Sequence, residues 1–115
     1  MKTYGEERSF LESCGVRVVE LSDESGRARV CLVPAWQGRV MTSTAAGTGG
    51  PGYGWINRSL IASGVRKSRF NPFGGEERLW LGPEGGPFSL YFAPGAEQAG
   101  DADDLPRVNI KREVL

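Results

Sequence analysis

The chain has 115 residues, 14 basic and 14 acidic side chains for a formal net charge of zero, and 39% hydrophobic residues. That length suits one small domain rather than two. The charges spread evenly along it, so no basic or acidic tail recruits a phosphate backbone or an anionic lipid surface by bulk charge. Neither a nucleic acid nor a membrane is expected as a partner. Seventeen glycines and seven prolines point to a loop-rich domain with a modest core.

Thr3 can cap a short helix over 6–13, with acidic residues in its first turn and Gly15 to end it. Residues 16–21 are rich in β-branched side chains and read as a strand. A turn over 23–26 (Asp23-Glu24-Ser25-Gly26) separates it from a second strand over 28–33, which Pro34 stops. The two form an antiparallel hairpin. A third strand, 38–44, is rich in Thr and Val. Residues 45–54 hold five glycines and a proline and form a loop. Ile56, Leu60 and Ile61 recur at helical spacing before Gly64, which predicts a helix over 55–63. Asn71 to Gly75 is a turn. Residues 78–81 and 88–92 read as short strands on either side of a Gly/Pro-rich connection. Residues 93–107 are polar and acidic and read as a mobile loop, and 108–115 alternates as a final strand. The expected fold is mainly β, an antiparallel β-sandwich with one or two short helices, in a single domain spanning 1–115.

Histidine is absent. This excludes a Ser-His-Asp triad, a Cys-His pair and every His-ligated metal site. Cys14 and Cys31 lack the spacing of a structural zinc site and sit beside apolar residues, as buried free thiols do. No metal and no cofactor is expected. The glycines at 47, 49, 50 and 52 lack the Gly-Lys-Ser/Thr ending of a phosphate-binding loop, and Pro51 removes a donor. There is no N-terminal apolar run of a secretory signal and no span of membrane length, so the expected location is cytoplasmic.

The segment from Asn71 to Gly86 sets Arg78, Trp80 and Glu84 among glycines. A sugar is held by an aromatic plate against its C–H face and by planar charged groups on its hydroxyls, and these residues have that chemistry. On a strand Arg78 and Trp80 would share a face. The alternative is a core tryptophan beside a surface ion pair. Arg39, in a half-buried strand, needs a partner, which a carboxylate such as Glu84 or a ligand could be. Tyr53, Trp55 and Trp36 add aromatic surface, or pack in the core.

Three stretches together carry a resemblance. They are residues 33–44, opening Val33-Pro34-Ala35-Trp36-Gln37-Gly38-Arg39; the run Gly54-Trp55-Ile56-Asn57; and residues 71–86, from Asn71-Pro72-Phe73-Gly74-Gly75 through Glu76-Glu77-Arg78-Leu79-Trp80 to Gly82-Pro83-Glu84-Gly85-Gly86. They resemble a bacterial domain family of unknown function with a galactose-mutarotase-like fold, related in plan to aldose 1-epimerases, over roughly residues 3–95. The resemblance implies part of a large antiparallel β-supersandwich, from its N-terminal region. By position Arg78 and Asn71 would correspond to sugar-contacting residues of mutarotases. The acid and base of a mutarotase lie further along the chain than this sequence reaches, so no catalytic residue is assigned. The resemblance implies a carbohydrate-related protein that binds a mono- or oligosaccharide through Asn71, Arg78, Trp80, Glu84 and Arg39. Two other readings stand beside it. One is a structural domain that pairs with a second copy through its sheet edges. The other is an epimerase-like enzyme completed by missing C-terminal elements.

Overall fold

A computed structural model describes residues 2–68 and 70–82 of the chain. The elements run α1 (Tyr4–Ser13), β1 (Val19–Ser22), β2 (Arg29–Val33), β3 (Arg39–Thr44) and α2 (Arg58–Ser63). The strands form one antiparallel sheet in the order β1-β2-β3. A small antiparallel sheet with two helices is consistent with a mainly β fold. The expected strand over 88–92, the loop over 93–107 and the strand over 108–115 lie outside the described residues.

Helix α1 begins with a capping box: the Thr3 hydroxyl accepts from the Glu6 amide, and the Glu6 carboxylate accepts from the Thr3 amide. It ends in a left-handed Gly15, whose amide donates to Glu12 O while the Val16 amide donates to Leu11 O. That double closure satisfies the last carbonyls of the helix. Tyr4, Glu7 and Leu11, spaced three and four apart, are its buried face. Helix α2 starts later than its apolar spacing suggests. Asn57 caps it through the Leu60 amide, so Trp55 and Ile56 precede it and Trp55 stays exposed.

A β-bulge decides which way β3 faces. Cys31 opposes Thr42 and Leu32 opposes Val40, so Met41 is an extra residue with no partner. Residues directly opposed across a sheet share a face. Val33 and Arg39, Cys31 and Thr42, and Arg29 and Thr44 therefore lie on one face. Without the bulge, Arg39 and Thr42, three residues apart, would point to opposite sides. With it, Arg39, Met41, Thr42 and Thr44 are all buried. Tyr4, Leu11, Cys31, Val33, Trp36, Met41, Ile56, Ile61 and Phe73 make the core.

The expected strand over 78–81 is not formed. Residues 73–79 instead fasten to the start of β3 at separate points. The Val40 amide donates to Glu77 O at 2.8 Å, the Glu76 amide to Val40 O at 2.7 Å, and the Leu79 amide to Gln37 O at 2.8 Å. Only Glu77 makes a bridge to β3, and one bridge is too little for a ladder. The glycine pair explains the interruption. Gly74 and Gly75 hold φ of 90° and 98°, which breaks extended backbone ahead of Glu76.

Candidate functional site

The connection from β3 to α2 and the segment after α2 meet at Trp55 and Gly74. The Gly75 amide donates to Trp55 O at 2.7 Å, and the Asn57 amide to Phe73 O at 2.9 Å. This seam and the start of β3 enclose an open pocket of about 280 Å³, lined by Arg39, Trp55, Phe70, Asn71, Pro72, Gly74, Gly75 and Arg78. Small-molecule sites usually run from roughly 300 to 1,000 Å³, so a concavity of this size has room for no more than a compact group.

Arg39 forms one wall and is 7% exposed. Its Nη1 donates to Gly74 O at 2.9 Å and its Nη2 to Gln37 Oε1 at 3.1 Å. Its buried Nε has no partner. Glu84, the carboxylate that could partner it, lies outside the described residues; within them its acceptors are two neutral oxygens. Burial, and then the like charge of Arg78, push its pKa down to about 10. The guanidinium remains charged at neutral pH.

Arg78 forms a second wall. Its guanidinium lies 4.5 Å from the centroid of the Trp80 ring. A cation–π contact of this kind draws the guanidinium to the ring face. The expected pairing of Arg78 with Trp80 on one strand face is thus replaced by direct stacking in a loop. Trp80 is 37% exposed, so it is not a core tryptophan. Asn71 lines the floor, but its side chain also holds its own loop, accepting from the Lys67 amide and donating to Lys67 O, both at 2.8 Å. Glu84 lies outside the described residues. Arg39, Asn71 and Arg78 therefore share one pocket, and Trp80 joins it through Arg78.

The pocket also takes residues that the sequence reading did not assign to it. Trp55, 66% exposed, supplies a broad aromatic edge, and Phe70 and Pro72 add apolar surface. The signal for them was the Gly74-Gly75 pair, where only backbone without a side chain lets two segments close on each other. A Cβ on Gly74 would strike Trp55 O and sit 2.8 Å from Trp55 Cε3; one on Gly75 would lie 2.8 Å from Val40 O. Behind the pocket, Phe73 stacks on Trp36 at 3.8 Å between ring centroids. The carboxylates of Glu76 and Glu77 do not line it. Glu76 accepts from the Ser43 hydroxyl, and Glu77 from the Arg78 amide.

Among the described residues no cluster of acidic and cysteine side chains could hold a metal ion, and no helix is long and apolar enough to cross a membrane. The family of unknown function DUF6786 matches residues 2–112. The chain belongs to that family. No curated protein and no solved structure matches it.

Proposed function

We propose that this member of DUF6786 binds a saccharide in the pocket between β3 and the 70–78 segment, and that its sheet is part of a galactose-mutarotase-like β-sandwich. The supporting observation is the composition of one concavity: two arginines and an asparagine beside the exposed indole of Trp55. Planar donors match vicinal hydroxyls, and an aromatic surface matches the C–H face of a pyranose. Among the described residues no carboxylate lines the pocket, so they offer no candidate acid or base within it. Binding is favoured over turnover for that reason.

A two-dimensional amide and indole NMR spectrum of the chain with a panel of neutral and acidic monosaccharides tests the reading. The Trp55 and Trp80 indole signals should move, while that of Trp36, buried against Phe73, should stay. A panel that moves no indole signal rejects carbohydrate binding.

Self-association is a second reading with an observation of its own. The outer side of β3 is occupied by Tyr53, Glu76 and Glu77, whereas β1 forms the other margin of the sheet and carries Leu21, 58% exposed. Mass under native conditions tests it: a monomer rejects it.

A further inference from the structure

Two cations face the pocket, and neither is neutralised among the described residues. Arg39 is more than nine-tenths buried, with two neutral acceptors and an unpartnered Nε. Arg78 has the Trp80 ring against its guanidinium and no ion pair among the described residues. Both line the same pocket, where the charge of Arg78 works against that of Arg39. The nearby carboxylates are turned to other partners: Glu76 to Ser43, Glu77 to the Arg78 amide. Elsewhere in the described residues, buried or half-buried charge is paired. Glu20 has Arg8 and Arg29, and Glu7 has Arg58. An arginine pair without a carboxylate stands out against that pattern.

We infer that the ligand is an acidic saccharide whose carboxylate or phosphate group sits between Arg39 and Arg78. The inference rests on the carbohydrate reading and adds the charge of the ligand to it. A hydroxyl can accept from one of the open guanidinium donors, but it leaves the repulsion between the two cations in place. An oxyanion accepts from both and removes that repulsion, through charge-assisted bonds that are stronger than neutral ones. The ring of the same sugar would then lie toward Trp55, which lines the same pocket.

The test is a calorimetric titration of the full chain with glucuronate, galacturonate, glucose 6-phosphate, glucose, galactose and inorganic phosphate, each at low and high ionic strength. An acidic hexose should bind about tenfold or more tighter than its neutral counterpart, and the difference should shrink at high salt. The uronates and the sugar phosphate separate a carboxylate from a phosphate ester. Arg78→Gln, at an exposed position, should abolish the preference for the acid while the thermal transition stays in place. Arg39→Met provides a second variant with the same expected loss. Equal affinity for neutral and acidic hexoses overturns the inference and leaves carbohydrate binding standing. A preference for the acid that survives Arg78→Gln and Arg39→Met also overturns it. Binding of inorganic phosphate without any sugar, or no binding at all, overturns both.

Discussion

The indole of Trp36 lies flat on the ring of Phe73, with centroids 3.8 Å apart and planes 11° from parallel. Trp36 belongs to the connection between β2 and β3, and Phe73 to the glycine-flanked segment that carries the pocket. The stack adds a side-chain anchor to the backbone bonds that fasten that segment to β3. Arg66 closes over both rings, at 5.1 Å from the Phe73 centroid and 5.5 Å from that of Trp36. Phe73→Ala should destabilise the chain by about 3–5 kcal/mol, the range for losing a buried phenylalanine. That is a large share of the stability of a small domain. Arg66→Ala removes the cation–π cover together with guanidinium bonds to the Leu60, Ile61 and Val65 carbonyls, and should lose about 1–2 kcal/mol. Denaturant unfolding followed by tryptophan fluorescence reads both. Similar losses for the two variants would mean that the stack does not anchor the segment.

Glu20 predicts how stability depends on pH. Its Oε2 accepts from the Tyr4 hydroxyl and Arg8 Nη1, each at 2.9 Å, and its Oε1 from Arg29 Nη1 at 2.8 Å. Burial works to raise the pKa of this carboxyl. The Tyr4 hydrogen bond and the two guanidinium charges outweigh it, and the folded pKa falls below the ordinary value. A depressed carboxylate pKa stabilises the folded state fully above the unfolded value, roughly 4.3, and that stability is lost as pH falls through the folded value. The melting temperature should therefore hold from neutral pH to about 5 and drop below about 4. Glu20→Gln should start lower at neutral pH and fall less steeply in acid. Parallel acid limbs for the two proteins would remove Glu20 from the cause.

Two glycines with positive φ separate backbone strain from steric collision. Gly64 ends α2 at φ 72°, with nothing within 4 Å of an added Cβ. Gly64→Ala should lose about 1 kcal/mol from left-handed backbone alone. Gly74, at φ 90°, would in addition drive its Cβ into the Trp55 carbonyl and ring. That carbonyl accepts the Gly75 amide, so the seam itself would open. Gly74→Ala should lose more than about 2 kcal/mol and move the Trp55 indole signal in the NMR spectrum. Equal losses at the two positions would show that the seam yields without effort.

Local signals were the legible part of the fold. Thr3 and Glu6 announce the start of α1 and Gly15 its end, because capping is chemistry within a few residues. The turn after β1 was legible for the same reason: Asp23 accepts from Ser25 and from the Ala28 amide within its own loop. What escaped depends on distant partners. Residues 78–81 have strand-like composition, yet the chain reaches β3 at Glu77 with the glycine pair just behind it. The bulge at Met41 was invisible because Val40, Met41 and Thr42 suit either face of a sheet. It is the bulge that puts Arg39 on the buried face, so the site was readable as a set of residue types but not as an enclosure.

Arg39 supplies the sharpest contrast between stability and binding. A buried guanidinium gives up several kcal/mol of hydration, and its two hydrogen bonds to neutral oxygens return about 1.5–3 kcal/mol each at best. No carboxylate among the described residues adds a Coulombic gain, and Arg78 subtracts one. The two acceptors, Gly74 O and Gln37 Oε1, belong to half-buried residues that water can reach once the guanidinium is gone. Arg39→Met keeps most of the side-chain volume and the packing against Phe73, whose centroid lies 5.8 Å from the guanidinium carbon. The variant should be as stable as the parent to within about 1 kcal/mol, or more stable, while losing ligand affinity. Melting temperature and the sugar titration, measured on the same sample, check the two halves. A loss of more than about 3 kcal/mol would make Arg39 a structural arginine, its charge needed to hold Gly74 in place rather than to meet a ligand.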